Sequence, residues 1–152
     1  MRKIFCLICV ISFSGCIKDD EVITAKEQLE IDLAIIDTYL AENGIGATPH
    51  PSGLRYVIHE PGTGINPTVD DVVNVDYVGT FLDGNEFDAN TDVEFPLNIL
   101  IQGWQIGFPL LKEGGEATLY IPSGLAYGTQ STSLIPPNAN LIFDVTLNSV
   151  IK

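Results

Sequence analysis

Leu100-Ile101-Gln102-Gly103-Trp104 is the stretch on which the reading of this fold turns. It holds the chain's single tryptophan, placed after a glycine and an extended apolar run, at the opening of a short candidate helix. Tryptophan is large and mostly buried, so two readings compete: a core anchor, or the floor of a pocket. The flanks frame the choice. Downstream, Trp104 to Leu111 reads as a short helix stopped by Gly114-Gly115, with Pro109 removing one backbone donor inside it. Glu116 to Pro122 reads as a strand, and Asn140 to Val150 as a last strand with strong alternation. Upstream, Leu54 to Ile58 is a first strand, followed by a turn at Glu60 to Gly64. Val72 to Phe81 is a longer strand, and Leu82-Asp83-Gly84-Asn85 carries the Asp-Gly hairpin signal. Glu86-Phe87-Asp88 continues from the hairpin, and Asp92 to Leu97 is a separate strand. A long loop, Ser123 to Asn138, carries aromatic and branched residues, as functional loops do and disordered ones do not. Several strands with one short helix predict an α+β fold built on an antiparallel sheet.

Composition sets the outer limits. The chain has 152 residues, enough for one domain with an addition at an end. A formal charge of −13 argues against nucleic-acid binding, because seven Lys/Arg against 20 Asp/Glu leave no basic surface to neutralise phosphates. All three cysteines, Cys6, Cys9 and Cys16, precede the folded part, which therefore has neither a disulfide framework nor a cysteine metal site. His50 and His59 lie apart and read as surface residues, so no metal is expected.

Residues 1–15 read as a signal segment. Arg2 and Lys3 form a charged start, Ile4 to Phe13 is an apolar run too short to span a bilayer comfortably, and Ser14-Gly15-Cys16 supplies small residues ending at a cysteine. Phe13-Ser14-Gly15-Cys16 resembles a bacterial lipobox, in which the cysteine is lipidated and becomes the mature N-terminus. The competing reading is an ordinary secretory signal with an incidental cysteine. Lys18-Asp19-Asp20-Glu21 is similar to the export signal of surface lipoproteins in Bacteroidetes. Together these resemblances imply a lipid anchor in the outer membrane; the acidic stretch reads either as a signal for surface exposure or as a solvated tether. Removing the signal takes away Arg2 and Lys3, leaving five Lys/Arg against 20 Asp/Glu, a formal charge of −15.

From Val22 to about Asn43 the pattern is helical, with Leu29, Leu33, Ile36 and Leu40 forming a stripe that Ile31 and Ile35 widen. Thr24 with Glu27 has the form of a capping box and predicts a start at Ala25; Asn43-Gly44 predicts the stop. The stripe must bury itself on the following domain, on a second copy or on a partner, so helix 25–43 is also a candidate for self-association. Gly44 to Ser52 is a linker by composition. The expected organisation is a signal peptide at 1–15, a lipidated tether with helix and linker at 16–52, and a folded domain at 53–152.

The motifs of the folded domain, in order, are Val75-Asp76-Tyr77-Val78-Gly79-Thr80, Asp83-Gly84-Asn85-Glu86-Phe87-Asp88, Ile101-Gln102-Gly103-Trp104, Gly114-Gly115-Glu116-Ala117, Ala126-Tyr127-Gly128, Ile135-Pro136-Pro137-Asn138-Ala139 and Leu141-Ile142-Phe143-Asp144-Val145. In this order and spacing they resemble the FKBP-type peptidyl-prolyl cis-trans isomerases across residues 53–151. The resemblance implies a bent antiparallel sheet of about five strands wrapped over a short helix, with an apolar pocket between them. It implies Tyr77, Phe87, Asp88, Tyr127 and Phe143 as catalytic residues. Leu100, Ile101, Trp104, Leu134 and Ile135 would bind substrate, with Trp104 beneath the proline ring and Val93 where many members carry an aromatic wall. Asp88 either orients neighbouring polar groups or caps the turn after the hairpin.

Such an enzyme needs no cofactor. Rotation about an X-Pro amide is slow because it breaks C–N resonance, at a barrier of about 18–20 kcal/mol, and no stable bond is cleaved. The chain accordingly shows no credible Ser/His/Asp set. The partners implied are proline-containing polypeptide clients and, through Cys16, a membrane. A binding module without turnover, acting as a proline-pocket adaptor or holdase, is the rival reading.

Overall fold

The computed structural model describes residues 23–152, so the expected signal segment, Cys16 and the acidic stretch after it lie outside the described residues. Helix α1 spans Ala25–Glu42. Thr24 accepts from the Glu27 N–H while the Glu27 side chain accepts from the Thr24 N–H, the reciprocal cap anticipated from the sequence. Strands β1 (Thr48–Pro49), β2 (Arg55–Glu60), β3 (Val72–Phe81) and β4 (Glu86–Pro96) follow. Next comes α2 (Gln102–Gly107), then β5 (Gly115–Ile121) and β6 (Leu141–Ile151). All six strands form one antiparallel sheet in the order β1-β2-β5-β6-β3-β4.

The sheet has one strand more than expected, because Thr48–Pro49 in the compositional linker pairs with Arg55 and Tyr56. The segments at 86–88 and 92–97 are one strand, β4, interrupted by two bulges rather than by a break. Helix α2 starts at Gln102, two residues before Trp104, and hands over at Phe108–Leu110 to a 3-10 turn. Pro109 sits in that turn, where the missing N–H is not needed for an α-helical bond.

Alternation along β3, β5 and β6 separates the two faces of the sheet. One face presents Val73, Val75 and Tyr77 from β3, Leu119 and Ile121 from β5, and Leu141, Phe143, Val145 and Leu147 from β6, all packed with Trp104 and Phe108 in the main core. Helix α2 can approach this closely because its inner face carries glycines one turn apart. A Cβ on Gly103 would stand 2.6 Å from Ile121 side-chain carbons, and one on Gly107 would stand 2.6 Å from Leu119 Cδ1.

The opposite face is covered by α1. Tyr120 and Ile142, paired in register across β5 and β6, pack with Ile36 and Leu40 in a second cluster. Of the three destinations open to the stripe of α1, this part of it is buried on the chain's own sheet. Arg55 on β2 pins the helix with Nε and Nη2 bonds to Asp37 at 2.8 and 3.0 Å. Ile31 and Ile35 stay exposed. Among the described residues no helix is long and apolar enough to cross a membrane.

Candidate active site

Between the inner sheet face and α2 lies a cleft of about 280 Å³. Trp104 lies at its base, 4 % exposed, with its ring edge-on to Tyr77, Phe108 and Phe143 at centroid distances of 5.1, 5.1 and 5.2 Å. The Trp104 indole N–H is buried and has no hydrogen-bond partner among the described residues. The aromatic surround therefore orients the ring by packing alone.

The strand end of the cleft depends on the bulges of β4. The register runs Gly79↔Asp88 and then Thr80↔Glu86, so Phe87 is the extra residue. A bulge lets two consecutive side chains share one side of the sheet. Phe87 packs edge-on against Phe143 at 5.5 Å, while Asp88 enters the cleft lining. Gly79 makes room for both rings: a Cβ there would come within 2.6 Å of Phe87 and 2.8 Å of Phe143. The second bulge lies between Asn90 and Val93, opposite Val75 and Tyr77. Its Asp92 takes a left-handed backbone (φ 55°) and gives its N–H to Asp76 Oδ1 at 2.7 Å. That bond, with a second from Asn148, holds the Asp76 carboxyl below its ordinary range.

The Tyr77 hydroxyl donates to Asp88 Oδ2 at 2.8 Å. Burial, with the Asp88 hydrogen bond and charge added, pushes the Tyr77 phenol up to about 12. Burial first, and Asp88 second, also raise the Tyr127 phenol. Both phenols therefore keep their protons at neutral pH. The Tyr127 hydroxyl has no side-chain or backbone partner among the described residues, and the same holds for the Ile101 N–H at the N-cap of α2. The cleft thus presents an apolar base and two uncommitted donors, a pattern suited to holding carbonyl oxygens around an apolar ring.

Of the residues anticipated from the sequence, Tyr77, Asp88, Leu100, Ile101, Trp104, Tyr127 and Phe143 line this cleft. Phe87, Val93, Leu134 and Ile135 do not. Phe87 stands behind the wall, against Phe81 and Phe143. Val93 packs on the core opposite Val75. Leu134 is 66 % exposed on the loop, while Ile135 is buried in the core cluster. Two lining residues escaped the sequence reading, Phe95 and Ile99. Phe95 shares its strand face with Val93 and reaches both Tyr77 and Trp104, at 6.4 and 6.3 Å between ring centroids. The alternation at 92–97 contained that signal. Ile99, in a 3-10 turn, left none.

Residues 64–148 match the family model of FKBP-type peptidyl-prolyl cis-trans isomerase. The chain belongs to that family. It is 47 % identical over 128 residues to the probable FKBP-type peptidyl-prolyl cis-trans isomerase FkpA of Neisseria meningitidis serogroup B, covering 81 % of this chain and 46 % of that protein. It is 38 % identical over 123 residues to the outer membrane protein MIP of Legionella longbeachae, covering 76 % and 53 % respectively. A solved peptidyl-prolyl cis-trans isomerase from Pseudomonas syringae superposes with a TM-score of 0.71 at 32 % identity, over 81 % of this chain and 96 % of that one. The chain spans about half the length of the curated relatives it matches. As an FKBP-type domain it has the antiparallel sheet and short inner helix expected from its motifs, with α1 added on the outer face.

Proposed function

We propose that this protein is a peptidyl-prolyl cis-trans isomerase that accelerates X-Pro rotation in polypeptide clients of the cell envelope. The observation that carries the reading is the Trp104-based apolar cleft flanked by the Tyr127 hydroxyl and the Ile101 N–H, neither of which has a partner among the described residues. The planar amide has more charge separation than the twisted one. A cleft that excludes water around the proline ring penalises the planar state relative to the twisted state. Oriented donors then hold the flanking carbonyls, and each factor of ten in rate needs only about 1.4 kcal/mol of differential stabilisation. Tyr127 and Ile101 take the donor roles. Trp104, Phe143 and Tyr77 shape the proline site, and Asp88 orients the Tyr77 hydroxyl. Phe87 acts by holding Phe143 in place, and Leu100 forms part of the rim.

The domain at 53–152 carries this activity, preceded by a signal at 1–15 and a tether at 16–52 anchored through lipidated Cys16. The apolar run ending in Ser14-Gly15-Cys16 supports the anchor, and the relative named as an outer membrane protein supports the envelope location. The exposed Ile31 and Ile35 leave a face of α1 for self-association.

The test is cis-to-trans exchange of an Ala-Leu-Pro-Phe peptide. Acceleration over buffer that is reduced, with a measurable residue, in Tyr127→Ala supports the reading; a folded protein with a rate equal to buffer overturns it. A second reading, a proline-pocket holdase, rests on the exposed Leu134 and on the absence of an aromatic at Val93. It is favoured if the folded protein binds proline peptides without turnover.

A further inference from the structure

Asp32, in the middle of α1, is 1 % exposed and lies outside the cleft. A carboxyl enclosed to this degree must have its lone pairs satisfied. Three donors converge on it. Ser123 N–H and Ser123 Oγ–H both reach Oδ2, at 2.9 and 2.6 Å, and Gln28 Nε2 reaches Oδ1 at 2.8 Å. Ser123 opens the 3-10 turn (Ser123–Leu125) that follows β5. Its N–H is shared with Asn140 Oδ1 at 3.1 Å, the residue just before β6. Its carbonyl accepts from Ala126 N–H at 2.9 Å and Gly128 N–H at 2.8 Å, the two amides flanking Tyr127. Gly128 in turn accepts from Asn138 N–H at 2.7 Å, closing the neck of the loop.

One residue, Ser123, is thus bonded on one side to α1 and on the other to both neighbours of the cleft's tyrosine. Apolar packing runs alongside: Leu29 and Leu33 of α1 and Pro122, the residue preceding Ser123, all close around Gly53, within 3.7 Å of where its Cβ would stand. Nothing else described joins α1 to the loop by a buried polar contact, and the helix otherwise covers only the far face of the sheet.

We infer that Asp32 is a positioning residue for Tyr127, so that α1 is a working part of the isomerase and not only a spacer. This rests on the isomerase reading of the cleft. Asp32 fixes Ser123, Ser123 fixes the backbone on both sides of Tyr127, and the Tyr127 hydroxyl is thereby held over the cleft. The helix that stands on the tether side of the domain reaches the substrate site through one side chain.

The experiment uses the full mature chain with Asp32→Ala, Asp32→Asn, Tyr127→Ala and the Asp32→Ala/Tyr127→Ala pair. Asp32→Ala should lower kcat/KM by about tenfold, since a misplacement of about 1 Å in a positioned group can cost about a hundredfold and the shift expected here is smaller. Asp32→Asn should restore most of the rate: its Oδ1 replaces the oxygen facing Ser123, and the Gln28 amide turns over to face its Nδ2. In the Tyr127→Ala background, Asp32→Ala should cost little further rate while still lowering Tm, because the two act on one element. NMR of Tyr127 gives a readout free of turnover: its amide and ring resonances should shift and broaden in Asp32→Ala and return in Asp32→Asn. Equal losses of rate in both backgrounds, or a folded Asp32→Ala with unchanged rate and unchanged Tyr127 resonances, overturn the inference. Buffer-level exchange by the parent chain overturns the isomerase reading, and the Tyr127 resonances then still report whether Asp32 positions the loop.

Discussion

Tyr77 donates its hydroxyl to Asp88 across the β3–β4 pair at 2.8 Å, although the two are not register partners: Tyr77 faces Asn90, and Asp88 faces Gly79. The diagonal contact exists because Gly79, the register partner of Asp88, lies two positions from Tyr77 on the same strand face, and the Phe87 bulge adds a second inward side chain beside Asp88. Its removal gives the first prediction. Tyr77→Phe keeps the ring among Phe95, Trp104 and Phe143 and deletes only the donor. Stability should fall by about 0.5–1.5 kcal/mol, the usual net worth of one hydrogen bond. Denaturant midpoints check this, and an unchanged midpoint contradicts it. Peptide exchange should slow as the Asp88 carboxyl loses its fixed orientation.

A pH profile follows from the phenols. Burial raises both Tyr77, to about 12, and Tyr127, so both remain donors through neutral and mildly alkaline pH. Exchange catalysis should therefore be level from pH 6 to about 9, well below the ordinary phenol range near 10. A group whose folded pKa is raised contributes stability that is complete below its unfolded pKa and is lost as pH rises toward the folded one. Tyr77 should thus add alkaline sensitivity between about pH 10 and 12, reduced in Tyr77→Phe. Thermal melts across that window test the sign. A rate loss centred near neutrality would point to a titrating group outside this cleft.

Trp104 separates binding from stability. Trp104→Ala should cost about 3–5 kcal/mol, because it opens a void among Tyr77, Phe108 and Phe143. Trp104→Leu refills part of that space and removes the flat base. The folded Leu variant should bind proline peptides several-fold more weakly, measured by calorimetry. Undiminished affinity would show that the ring serves the core alone.

Gly103→Ala tests the seating of α2. The added methyl would sit 2.6 Å from carbons of Ile121, which is fully buried. Overpacking of this kind costs about 1–3 kcal/mol, against a gain in helix propensity of about 1 kcal/mol. The net effect should be destabilising and should shift Trp104 fluorescence as α2 lifts. A stabilised variant with unchanged emission would contradict the close approach.

Local patterns in the chain were enough for α1 with its Thr24–Glu27 cap, the Asp83-Gly84 hairpin, the alternating strands, and the ordered motifs that mark the family. Each depends on residues a few positions apart, so each is written in sequence. Tertiary pairing alone decided which side chains meet at the cleft. The period of two along β4 is broken between Asn90 and Val93, a break that exists only in register with β3, so Asp88 and Phe95, an odd number of positions apart, come to share the inner face beside Tyr77. Tertiary packing also decided where part of the α1 stripe went. Ile36 and Leu40 found Tyr120 and Ile142 on the outer face, and Asp32, one polar residue in an apolar stripe, found Ser123 at a separation of 91 residues. A helical period reveals that such a face must be buried; only the assembled sheet determines what meets it.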